Sequence, residues 1–267
     1  MLDSFSLDIL KEHTLLLLHG ASLGVFLVLG TVLPRVRGIR MINRDVIQNV
    51  CNGLALFGFK ILLLGAIFDK ITPEESLFPV ESLPWVLQFL LAFVLLDFSR
   101  YWLHYMGHRV PFLWRFHRVH HSAEVLDSTT GLRMHVVDFV QLQIIPLVIF
   151  AVVFSETGTA DWVAEAALGM GIFFDCFQHS NMRWDVSKPF QGLWHKLLNN
   201  PHFHSWHHTR DGQLCDGNYS NTLIIWDRIF GTEVTQDHSP ELLGLDGDQR
   251  IRNSFIGWQL LQTEVHR

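Results

Sequence analysis

The spacing of its histidines constrains this chain more than any other feature. Residues 97–121 read DFSRYWLHYMGHRVPFLWRFHRVHH, and residues 203–208 read FHSWHH. His104 and His108 are four apart, which on a helix puts both imidazoles on one face. His117, His120 and His121 combine an i, i+3 pair with an adjacent ring rotated by about 100 degrees, so one such segment can serve two neighbouring metals. The same HxxHH spacing recurs at His204, His207 and His208. Any fold of this chain that uses them together must bring distant segments to one place.

Composition puts that place beside a membrane. Of 267 residues, 49% are hydrophobic and 17% charged, where about 25% charged is typical of soluble domains, and the mean hydropathy is +0.22. A net charge of -6 with no basic segment gives phosphate-backbone binding little support. Cys51, Cys176 and Cys215 are far apart and form no CxxC, so neither a disulfide framework nor an iron–sulfur cluster is expected.

Apolar runs lie at about 14–34, 47–68, from Trp85 onward, 137–154 and 162–177. They predict an all-α membrane protein with about four to five transmembrane helices. The opening MLDSFSLDILKEH is acidic where a secretory leader is basic, so the first run is expected to remain as an anchor. Arg35, Arg37, Arg40 and Arg44 place the first loop in the cytoplasm, and the acidic 69–82 connector fits the opposite side. Counting onward brings His121, His135, His179 and the carboxyl end back to the cytoplasmic face as a histidine-rich helical cap. The expected organisation is an N-terminal transmembrane hairpin at 1–84, a metal domain at 85–235 and a C-terminal cytoplasmic tail at 236–267, amphipathic near 251–263.

Ligand type and number set the chemistry. The chain has 16 histidines, 12 of them between His104 and His208. That supply exceeds the three or four ligands of one tetrahedral zinc and suits two ions, although imidazole alone does not choose between iron and zinc. There is no HExxH and no GxSxG. A two-iron centre that activates dioxygen is the natural use of a nitrogen-rich site facing an apolar substrate store. The alternatives are a zinc-dependent membrane hydrolase and a metal-binding transport or structural protein. A transporter would place its ligands near the bilayer midplane on broken helices, whereas these follow the apolar runs.

Taken together the boxes resemble those of the fatty acid hydroxylase and sterol desaturase superfamily of integral-membrane di-iron enzymes, over about residues 90–235. The family's HxxxH is matched by His104 and His108, and its first HxxHH by His117, His120 and His121 with Ser122 following. Its last HxxHH is matched by His204, His207 and His208 after Asn200 and Pro201. His179 in FQHSN resembles the intermediate histidine. Asp216 to Thr232 is similar to the closing DNYxNxLxxWDRxFGT element, with Gly217 inserted before Asn218. The resemblance implies oxygen-dependent hydroxylation or desaturation of a sterol-like or fatty acyl lipid, with two iron ions and dioxygen as co-substrate. Since the chain has no haem CxxCH, cluster motif or nicotinamide fingerprint, it also implies a separate reductase or ferredoxin-type electron donor.

Some positions depart from the pattern or stay open. His135 in GLRMH is a further candidate ligand, hydrogen bonding to the boxes being the alternative. Asp175 stands where some relatives carry a second histidine, and could ligate, orient His179 or cap charge. Asp97, about two turns before His104, could support a ligand's second nitrogen or pair with Arg100. These two are the candidate catalytic carboxylates. Glu124, Asp127, Asp138, Asp211 and Asp227 are further carboxylates expected near the ligands, Asp227 having Arg228 as its other partner. His19, His195 and His202 read as non-ligands, and His13, His238 and His266 as surface residues.

Overall fold

Hydropathy decides the layout, and the site sits at one end of it. A computed structural model describes residues 2–71, 77–78, 80, 82–154 and 159–262. Helices α1 (Leu2–Val32), α2 (Arg44–Ile71) and α3 (Trp85–Arg109) are followed by the short α4 (Pro111–His121). Next, α5 (Val136–Phe139) and α6 (Ile145–Phe154) are joined by a π turn at Val140–Ile144, and α7 is Asp161–His179. The remaining helices are short: α8 (Pro189–His195), α9 (Pro201–His207), α10 (Ile225–Phe230) and α11 (Phe255–Gln259). The described residues contain no strand, only isolated bridges such as Pro34 to Met182.

Four helices are long and apolar enough to cross a membrane, at Thr14–Val32, Arg44–Ala66, Trp85–Arg109 and Val136–Phe154. The apolar run at 162–177 forms α7, which is not among them; it carries Asp161, Glu165 and Asp175. Nineteen residues nevertheless give it about 28 Å of length. Ala160 N donates to Gln88 Oε1 at 2.7 Å near the start of α3, and His179 ends α7 at the histidine site. α7 therefore runs parallel to α3, sheltered by α1 and α3, which both pack against it. On the outer helices Leu17 and Leu62 are 73% and 76% exposed, an apolar surface suited to lipid rather than water.

The packing follows the same logic. Ala92 and Leu96 of α3 meet Phe154 of α6 and Val163 and Ala167 of α7 in one cluster, while Phe26 of α1 meets Phe174 and Phe177 of α7 in another. The arginine-rich loop after α1 is tied to the histidine end: Arg35 N donates to Asn181 O at 2.7 Å, and Asn253 Nδ2 donates to Asp45 Oδ1 at 2.7 Å. The carboxyl-terminal segment closes over the same end. Trp258 is fully buried beneath the Arg133 guanidinium, 4.6 Å from its ring centre, and Gln259 Nε2 donates to Asn52 Oδ1 at 3.1 Å. Half of the acidic 69–82 connector, residues 155–158 and His266 lie outside the described residues, as does the His13 side chain.

Candidate metal centre

A one-residue joint sets the first half of the site. Val110 is extended, and Pro111 opens α4 at a position where its missing N–H costs nothing. α4 thus folds back on α3, and His104 and His108 face His117 and His121. The second HxxHH sits on α9, whose start is fixed by Asn200 accepting from Phe203 N and by Pro201 in the first turn. His179 arrives from the end of α7.

These side chains form two groups whose ligand nitrogens all lie within 4.8 Å of one another. One comprises His104, His108, His117, His121 and His207; the other comprises His120, His179, His204 and His208. Each HxxHH box is divided between them, the i and i+4 residues facing one centre and the i+3 residue the other. In α4 the pair His117 and His121 serves the first group and His120 the second. In α9 the roles are reversed.

The ring contacts in the first group fit a shared cation. His104 Nδ1 donates to Tyr219 O at 2.7 Å and His117 Nδ1 to Asp138 Oδ1 at 2.9 Å, so both Nε2 atoms carry bare lone pairs. Yet those two Nε2 atoms are 3.1 Å apart, and His121 Nε2 is 3.2 Å from that of His117. His207 Nδ1 donates to Gly217 O at 2.7 Å, leaving its buried Nε2 without a partner. Ligands at right angles on bonds of about 2.1 Å stand about 3 Å apart, which is the spacing found here. In the second group, His179 Nε2 is 3.1 Å from His120 Nε2 and 2.9 Å from His204 Nε2, and His208 Nε2 is 3.1 Å from His204 Nε2. The donor sets of both groups fit a metal ion.

Burial, and behind it the neighbouring rings, holds His120, His121, His204 and His208 well below the ordinary imidazole value, and burial brings His207 to about 3. Neutral rings are what coordination needs. In chelator-treated protein the unfolded chain takes up a proton near pH 6.5 that His207 refuses until about 3. The unfolded state therefore binds more protons between those values, and stability rises with pH through the window and is lost as pH falls through it. The melting temperature of metal-free protein should accordingly be lower at about pH 5 than at about pH 7.5; equal values would contradict the burial of these rings.

The same segment is what known proteins share. The Fatty acid hydroxylase family matches residues 89–232 of the 267. The chain belongs to this family. It is 33% identical to an alkylglycerol monooxygenase of Xenopus tropicalis over 153 residues, which covers 57% of this chain and 31% of that protein. Against an alkylglycerol monooxygenase of Caenorhabditis elegans it is 30% identical over 234 residues, 81% of this chain and 41% of the relative. An ornithine lipid hydroxylase of Rhizobium tropici is 29% identical over 161 residues, 59% of this chain and 45% of that one. The chain thus spans between about a third and a half of these relatives. No solved structure matches it.

Nine of the ten histidines singled out in the sequence fall in the two groups; His135 does not. Its Nδ1 accepts from Val137 N at 3.0 Å, capping α5, and its Nε2 contacts Gln259 O at 3.1 Å, so both ring nitrogens are already engaged. His195 and His202 also lie outside, bonded to Asn200 Nδ2 and Gln236 O. Asp97 touches neither a ligand ring nor Arg100 by hydrogen bond: it accepts from Thr222 N, Leu223 N and Trp226 Nε1 at 2.9 to 3.1 Å. Asp227 works from the other side, accepting from Tyr219 N and Ser220 N, while Arg228 pairs with Glu233. Together they fix the loop whose Tyr219 carbonyl holds His104. Of the other expected carboxylates, Asp138 receives a ligand N–H, whereas Asp127 accepts from Thr129, Asp211 from Gln213 N, and Glu124 lies beside Arg210. Asp216 stands 3.3 Å from His108 Nδ1, a partner the sequence reading passed over.

Two features had little sequence signal. The π turn at Val140–Ile144 re-aims Gln141 and Gln143 toward α3, where Gln141 Nε2 donates to Leu103 O at 2.6 Å. Gly217, an insertion against the family's closing element, has a clear reason: a Cβ there would lie 2.6 Å from Thr232 O and 2.6 Å from Val234 Cγ2. Asn218 beside it takes a left-handed φ of 58°, and its side chain bridges Phe203 O and Val234 O.

Asp175 supports His179 mainly through its backbone. His179 Nδ1 donates to Asp175 O at 2.7 Å, and the nearer carboxylate oxygen is 3.5 Å away. Asp175→Asn should therefore keep the iron and lower turnover by less than about tenfold, below the 10- to 100-fold that follows loss of a direct ligand support. Iron loss in that variant would make the carboxylate a ligand.

Proposed function

We propose that this chain is an oxygen-dependent hydroxylase or desaturase acting on a lipid, with two iron ions held by its histidines. The observation that carries the reading is the division of each HxxHH box between two buried, nitrogen-only groups. His104, His108, His117, His121 and His207 would hold one ion, and His120, His179, His204 and His208 the other. When bound, such a pair supplies reduction of dioxygen and oxidation of an unactivated C–H bond, with two electrons drawn from a separate reductase or ferredoxin-type donor.

The chain's own residues prepare the site. Tyr219 O, Gly217 O and Asp138 hold the Nδ1 protons of His104, His207 and His117, which leaves each Nε2 free to coordinate. The Tyr219 ring packs edge-on against His104, His108 and His207 and helps to keep water out. An apolar cavity of about 280 Å³ between the helices offers room for a lipid chain, close to the lower end of small-molecule sites. Relatives named for an alkylglycerol and an ornithine lipid support a lipid substrate.

Metal analysis and lipid profiling test the reading together. Protein from iron-replete cells should carry two irons per chain, and membranes supplied with reductant and oxygen should form a new oxidised lipid only when the protein is present. Stoichiometric zinc with no oxygen-dependent product would instead favour a zinc hydrolase.

An active site on the cytoplasmic face is part of the same proposal, supported by the bond from Arg35 N in the arginine-rich loop to Asn181 O beside the histidine end. Cysteines introduced at Ile39 and Gln213 should be shielded in intact cells from an impermeant thiol reagent, and one at Glu75 should react. Labelling of the first two would reverse the orientation.

A further inference from the structure

The apolar cavity does not end blindly. A space of about 40 Å³ beside His104, His117, His120, His179 and His204 shares four lining residues with it, namely Arg100, Met134, Gln143 and Asp175. Those four make a short passage between the room for a chain and the histidine site, and three of them are polar. Their polarity is costly among apolar helices unless it has a use.

Two glycines make room for the charged pair. A Cβ on Gly171 would collide with Arg100 Nη1, and one on Gly131 would collide with Asp175 Oδ2. The guanidinium is therefore seated against α7 at Gly171, one turn before Asp175, whose own carboxylate fills the gap at Gly131. Neither is fully satisfied among the described residues. Arg100 Nη2 reaches Gln143 Oε1 only at 3.5 Å, and its buried Nε has no partner among the described residues. Asp175 keeps a 20% exposed side chain whose closest ring nitrogen is 3.5 Å away. A donor with spare N–H groups in the same passage as an acceptor with spare lone pairs, their charges balancing, is suited to a neutral group that both accepts and donates: a hydroxyl.

We infer that Arg100, with Asp175 in the same passage, is the specificity-determining residue that holds a hydroxyl-bearing lipid head group there, the chain lying in the apolar cavity. This deepens the lipid-oxidising reading and rests on it for the identity of the reacting site. It fixes the orientation of the substrate: the polar end comes to the histidines, and the carbon presented for oxidation is one within a few bonds of that end rather than the far methyl. Lys60 and His19 line the cavity but not the passage, so a head group bound there would give the opposite orientation.

Equilibrium binding separates the two without any turnover. Iron-loaded protein in detergent micelles is offered tritiated 1-hexadecanol or hexadecane, two chains of equal length that differ by one hydroxyl. Wild type should prefer the alcohol by about tenfold or more, since a hydrogen bond to a charged donor in an apolar passage is among the stronger kind. Arg100→Leu should abolish that preference while hexadecane binding stays within about twofold, which also shows the cavity to be intact. Arg100→Lys, keeping the charge and most of the stem, guards against misfolding and should retain part of the preference. Lys60→Met should leave it unchanged. A preference that survives in Arg100→Leu, or that falls in Lys60→Met instead, overturns the assignment. Because neither oxygen nor an electron donor enters the assay, its failure with iron content and lipid oxidation preserved would sink the head-group site alone.

Discussion

If the two groups hold one iron each, as proposed, His207→Ala should reduce bound iron from two to one or fewer per chain and cut turnover by more than about 100-fold, beyond what loss of a mere ligand support costs. The ring supplies an Nε2 that is buried and unpartnered, and its Nδ1 is already committed to Gly217 O. The other nitrogens of the first group belong to four further histidines, each already placed. His208→Ala should do the same through the second group. His135→Ala is the contrasting control: it should retain both irons and lose only about 1 kcal/mol of stability with its helix cap. Elemental analysis of the three purified variants checks this, and an iron-replete His207→Ala would dismantle the first group.

The second large effect belongs to Asp97, which never touches a ligand. Its two oxygens accept from Thr222 N, Leu223 N and Trp226 Nε1, all of them donors. Asp97→Asn therefore turns one acceptor into an NH2 that opposes a donor, and should cost about as much as alanine, on the order of 3 kcal/mol. For a chain of this size that corresponds to a melting temperature lower by roughly 10 °C. Iron should fall in parallel, because the loop it anchors carries Tyr219 O, the partner of His104. A variant with unchanged melting and iron content would show that the anchor is dispensable.

The ligands were legible because helical periodicity is a local rule. Spacings of three and four residues reveal which imidazoles share a face, whatever the rest of the chain does, and the eight box histidines converge as that rule suggests, whereas His179 was reached only through the family's intermediate histidine. His135 was not separable on those terms, since a lone histidine has no spacing; only the packing of Gln259 against it shows that its nitrogens are taken. Asp97 was singled out by its place two turns before His104 and Asp175 by its departure from the family's pattern, yet Asp97 finds its partners 125 residues away, beginning at Thr222. Such long-range pairings leave no local trace. The family's presence was readable from its boxes, and the four apolar spans from length and hydropathy. How far α1 and α3 cover α7 depended on what packs around it.

The carbonyl partners of the ligand rings have a consequence for how the site tolerates change. Tyr219 O, Gly217 O and Asp175 O belong to the main chain, so no substitution can delete them. Mutational drift at those positions can alter a side chain and still leave the acceptor in place, provided the peptide keeps its course. His117 and His108 lack that insurance, because their acceptors are the removable carboxylates of Asp138 and Asp216. Fragility in this centre is therefore uneven: it concentrates at two acidic residues and at the single glycine where any added carbon would push the loop aside.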